Sequence, residues 1–167
     1  MSRRSLVRRL SAVAALTALA PVPAAPESRS ADRRSLQELT LERARDGAAR
    51  KLERPKCQRL LEEFRDKMGR TLAENLATWN RTPVEYLRTI PFRDGSFHST
   101  CSSGMSALFS VVGMRPVFVC PNFRKEAERD PWSAENWIIH EMLHTLGLGE
   151  NPPSSREITQ RVNERCQ

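Results

Sequence analysis

Within the 167-residue chain, the stretch 137–150 holds the residues best suited to chemistry: His140-Glu141-Met142-Leu143-His144, then Gly147 and Glu150. On a helix, positions i and i+4 share a face, so His140 and His144 can aim two imidazoles at one metal ion. Glu141 sits beside them, placed to accept a proton from a water activated there. Gly147 follows His144 by three residues, where helices commonly end in a left-handed residue that glycine enters cheaply. The chain then turns back, so that Glu150 can reach the same point. Two His and one Glu leave a coordination position open, as in a catalytic rather than a structural zinc site. Only three His occur in the chain and two fall here. The same helix could instead carry a structural zinc, or two polar imidazoles and no metal. Glu157, one helical turn into the tail, is a rival third ligand, with Glu150 then orienting an imidazole.

The pattern His140-Glu141-x-x-His144-x-x-Gly147-x-x-Glu150 resembles the zincin metallopeptidases, and its spacing is close to that of the metzincins. Metzincins carry His or Asp where this chain has Glu150, and a Met-turn after the site; no Met follows Met142. The strand ending in Cys120-Pro121 ahead of the motif also resembles the deuterolysin-like secreted endopeptidases, though their Asp beyond a Gly-Thr step is missing. The resemblance covers about a tenth of the chain. It implies zinc, hydrolysis of peptide bonds with Glu141 as general base, and a peptide or protein substrate. It also implies an antiparallel edge strand beside the site to which extended substrate pairs; Val117-Phe118-Val119 is the candidate.

These residues need elements to hold them. Asp130 before Pro131 reads as the N-cap of the site helix, with Ser133 a rival cap. Trp132, Ile139, Met142, Leu143 and Leu146 give that helix an apolar stripe, which would fix the imidazoles rigidly. Upstream, Leu41, Ala44, Ala48 and Leu52 recur at helical spacing. After Pro55, so do Cys57, Leu60, Leu61, Phe64, Met68, Leu72, Leu76 and Trp79, with a possible split at Gly69 and a capping-box pair Thr71/Glu74. By resemblance this second helix is the scaffold behind the site helix. Thr82-Pro83-Val84-Glu85 is another capping box, opening a helix that carries the lone Tyr86. Tyr86 reads as packing more readily than as an oxyanion donor. Residues 107–112 and 116–120, joined by Gly113-Met114-Arg115, predict a β-hairpin. His98, in a Ser-rich loop, reads as solvent-facing and is a weak third-ligand candidate. Ser154 or Ser155 can cap a last helix on which Ile158 and Val162 pack back.

Residues 1–24 read as a secretory signal: Arg3, Arg4, Arg8 and Arg9, an apolar run from Leu10 to Ala20, and small residues through Ala24 or Ala25. Ser2-Arg3-Arg4 also fits a twin-arginine signal of a bacterial exported protein, periplasmic or secreted. Of 27 basic residues, four lie in this stretch and no acidic one does. That leaves 23 against 20 and a net charge near +3, too mixed for a nucleic-acid-binding face. Four cysteines in an exported chain imply two disulfides. Of three possible pairings, Cys101–Cys120 would tie the hairpin and Cys57–Cys166 would fasten the last helix to the scaffold.

The expected molecule is an exported α+β, zincin-like domain over residues 55–167, built of scaffold helices, a small antiparallel sheet and an active-site helix. Residues 25–35 read as unstructured, and 25–54 as a helical lead that could be a propeptide. No stable membrane span is expected after processing.

Overall fold

The computed structural model describes residues 26–104 and 106–167; the signal read at residues 1–24 lies outside them. The first element, α1 (Pro26–Leu52), begins within the stretch that composition marks as unstructured. Its second half carries Ala44, Ala48, Ala49 and Leu52 into the main core. The core thus draws on residues both before and after position 55.

The helical pattern from Cys57 to Trp79 breaks into α2 (Pro55–Gln58), α3 (Leu60–Glu63) and α4 (Leu72–Ala77). The break is a turn in which the Asp66 carboxylate accepts from the Met68 and Arg70 amides. Gly69 takes φ +82° there, a value that costs other residues steric strain. Met68, assigned to the buried stripe, is 73% exposed on this turn. Thr71 closes its capping box with Glu74, and Thr82 does the same with Glu85 at the start of α5 (Pro83–Thr89).

Three short strands follow: β1 (Phe92–Asp94), then β2 (Leu108–Ser110) and β3 (Val117–Val119), with α6 (Ser99–Ser102) between β1 and β2. β2 and β3 form the predicted hairpin, and β1 adds in parallel on the other side of β3. The sheet is thus mixed, in the order β1-β3-β2. Val117-Phe118-Val119 is its central strand, with both sides paired, and has no free edge to offer a peptide. β2 is an edge strand and packs against the site helix. Because side chains alternate along a strand, the register Leu108↔Val119 and Ser110↔Val117 puts these four on one face. Leu108, Val117 and Val119 on that face are buried. Phe109 and Phe118 stack on the other face, with His98 over Phe109.

α7 (Phe123–Arg129), α8 (Pro131–Thr145) and α9 (Ser155–Arg165) complete the chain. α8 is the central helix, with Ile138, Ile139, Met142 and Leu143 fully buried; each such side chain contributes about 1.5–3 kcal/mol by leaving water. The helix behind it is α1, not the 57–79 segment. The two approach closely because α1 offers alanines, and because a side chain at Gly47 would collide with Glu135. Across this contact the buried Lys51 ammonium pairs with Glu135 at 3.0 Å. It also donates to Asn136 Oδ1 at 2.7 Å and to the Trp132 carbonyl.

Cys57–Cys166 and Cys101–Cys120 are both formed. The first spans 109 residues, and closing so long a loop removes entropy from the unfolded chain. Two disulfides are compatible with an oxidising compartment. No described helix is long and apolar enough to cross a membrane.

Candidate metal centre

α8 starts as the sequence predicts: Asp130 accepts from the Ser133 amide, and Pro131 occupies the first turn. One face then delivers His140 and His144, both buried, with ring Nε2 atoms 3.0 Å apart. The helix ends at Gly147, whose φ of +107° reverses the chain. Gly147 N donates to His144 O, and Leu148 N to Leu143 O, the bond pair of a Schellman cap.

That cap builds the site. It points the Leu148 carbonyl at His144 Nδ1, 2.7 Å away. A carbonyl only accepts, so Nδ1 carries the proton and Nε2 presents its lone pair. It also brings Glu150 round, with Oε1 3.4 Å from His144 Nε2. His140, His144 and Glu150 offer ligand atoms within 4.8 Å of one another and could hold a metal ion; they form the one such group among the described residues. Bonds of about 2.0–2.1 Å to a tetrahedral ion put ligand atoms about 3.4 Å apart, so the observed spacings fit with small adjustment. Burial, then the neighbouring His144, pushes His140 down to a pKa of about 3. It is therefore neutral near pH 7, the form that binds metal.

Glu141 is also buried. Its Oε2 accepts a 2.6 Å hydrogen bond from Ser110 on β2. Burial raises its pKa above the ordinary carboxylate range, against the opposing pull of the Ser110 bond. A raised pKa makes it a better proton acceptor once ionised.

The other candidates lie elsewhere. Glu157 accepts from the Ser154 amide and hydroxyl, while Ser154 accepts from the Glu157 amide. This capping box engages Glu157 Oε2, and Glu157 is not among the residues grouped around the two imidazoles. His98 caps α6 and pairs with Thr100. The buried Tyr86 hydroxyl bonds Thr145, so it packs.

Three partners of the site escape sequence reasoning. Thr159 Oγ1 lies 3.1 Å from His140 Nδ1, Ser110 grips Glu141, and Asn75 donates to the Leu146 carbonyl at the helix end. Each comes from a separate element, so no local spacing marks it. The one available signal for Thr159 is that Ile158 and Val162 fix which face of α9 turns inward.

No family model, curated protein or solved structure matches the chain.

Proposed function

We propose that the chain is an exported zinc peptidase of zincin type, in which His140, His144 and Glu150 hold zinc and Glu141 is the general base. The observation that carries this reading is the convergence of those three ligands beside a buried, hydrogen-bonded carboxylate. Nitrogen and carboxylate donors in this number suit zinc. A structural zinc is enclosed by four protein ligands, whereas here three converge and a cavity opens on the His140 and Glu141 side.

Bound zinc would make a water acidic enough to give up its proton near neutral pH and would polarise a peptide carbonyl. The chain's own residues supply the rest. Glu141 accepts the proton and returns it to the departing amine. Ser110 fixes Glu141 Oε2 and so the direction of Oε1. Thr159 and the Leu148 carbonyl hold the two imidazoles in place, as outer partners of metal ligands do. Among the described residues the outer edge of Leu108–Ser110 has no partner strand, and β2 packs against α8. An extended peptide adding there would gain main-chain hydrogen bonds whatever its sequence. The substrate strand proposed is thus β2, one strand over from the segment that the resemblance implied.

The test is Glu141→Gln on the mature protein, with zinc measured by elemental analysis and peptide cleavage by mass spectrometry. One zinc per chain is expected in both proteins, with turnover lower by about 10²–10⁴ in the variant. Cleavage at the wild-type rate would remove Glu141 from the mechanism. Chelation gives the second arm: it should stop cleavage and leave the disulfide-linked fold, whereas unfolding on chelation would mark a structural zinc.

A further inference from the structure

Beside the site lies a cavity of about 430 Å³, within the roughly 300–1,000 Å³ of ordinary ligand pockets. His140, Glu141 and Trp137 of α8 line it, together with Glu126 of α7 and Asn122, which precedes that helix. No Lys or Arg is among the residues that line it. Glu126 is the carboxylate in the wall that the proposed reaction does not use. Its partner is Arg129 on the next turn, at 2.5 Å, but the Arg129 side chain is 75% exposed. The Glu126 side chain is 23% exposed, so the pair is open to solvent mainly on the Arg129 side; a pair with one exposed partner is partly screened, and an incoming cation can compete with Arg129 for the carboxylate. Asn122 is poorly satisfied: Oδ1 has no partner, and Nδ2 makes only a 3.5 Å approach to the Gly104 carbonyl. Its amide can turn to accept from a bound N–H. Trp137 also lines the cavity, and indole is the side chain that attracts cations best.

Resting on the peptidase reading, we propose that this cavity selects a basic side chain, Lys or Arg, in the substrate residue flanking the cleaved bond. Glu126 accepts from its ammonium or guanidinium, and Asn122 takes a second N–H. An apolar side chain would gain little here, since it would leave Asn122 Oδ1 without a partner and remove water from the Glu126 carboxylate.

Two measurements test this on the zinc-loaded mature protein. In the first, a mixed peptide library is digested and the cleavage sites are sequenced. Lys and Arg should be enriched on one side of the cut. The kcat/KM ratio of a Lys peptide to its norleucine counterpart should fall about tenfold or more in Glu126→Gln, the loss expected for a charge-assisted hydrogen bond. Glu128→Gln, on the same helix and outside the cavity, should leave that ratio alone. In the second, N-acetyl-arginine amide and N-acetyl-norleucine amide are titrated calorimetrically. The arginine compound should bind more tightly, with the advantage reduced in Glu126→Gln. Cleavage with apolar or no preference, together with equal binding of the two amides, overturns the pocket and leaves the peptidase. Selective, Glu126-dependent arginine binding without any cleavage keeps the pocket and overturns the peptidase.

Discussion

The two halves of the candidate centre are built differently. His140, Glu141 and His144 ride on the most buried of the described helices; His140 and Glu141 are held by partners from α9 and β2, and His144 by a carbonyl of the turn that caps the helix. Glu150 sits on the turn after that helix with its side chain 42% exposed. The first half is fixed by these hydrogen bonds; the second lies 3.4 Å from His144 Nε2 and is open to solvent. Preorganised ligands spend less of their binding energy on ordering, so the imidazoles should dominate affinity and Glu150 should govern how an ion enters and leaves.

That contrast can be broken outright. His144→Ala should abolish zinc binding at micromolar metal, while Glu150→Ala should weaken it by a smaller factor and speed release to a chelator. Titration with a competing chelator reads both. Equal losses would mean that the exposed carboxylate is as preorganised as the rings.

A subtler test addresses the support beneath the helix end. Asp66 accepts from Asn75, and Asn75 also holds the Leu146 carbonyl. The Asn75 bond, followed by those from Arg70 and Met68, lowers the Asp66 pKa to about 2. A carboxylate depressed on folding adds stability above its unfolded pKa of about 3.9 and loses it as pH falls through the folded value. Thermal melting should therefore show a decline between about pH 4 and pH 2 that Asp66→Asn flattens. An unchanged acid profile in that variant would take Asp66 out of the support.

The smallest effect belongs to the tail. Ser154→Ala should lower stability by about 1 kcal/mol through loss of the cap. Glu157→Ala should leave zinc affinity unchanged; a drop in affinity would return Glu157 to the site.

What could be read from the sequence was what short range decides. The HExxH face, the Schellman glycine at Gly147, the capping boxes at Thr71 and Thr82, and the 107–120 hairpin all rest on residues within one or two turns of each other. Both disulfides followed from asking which elements needed tying. What was missed depends on the third dimension. The parallel β1 is three residues long, with no pattern of its own, and its addition moves Val117–Val119 from edge to centre. The periodicity from Cys57 to Trp79 cannot show that Asp66 and Gly69 turn the chain. The small residues of α1 look like weak helix signal, yet their size is what lets α1 lie against the site helix. Thr159 and Ser110 reach the site only because α9 and the sheet are packed onto α8.

The Lys51 contact carries a last consequence. Its ammonium meets Glu135, Asn136 and the Trp132 carbonyl, and Asn136 goes on to Asn163 of α9. Successive residues of a helix are rotated by about 100°, so an apolar stripe alone leaves room for the helix to roll. A single charge that must find three oxygens does not. Lys51 therefore works like a key in a shaft, setting the angle at which the rod offers its two imidazoles, which lie one and two turns further along the face that carries Asn136.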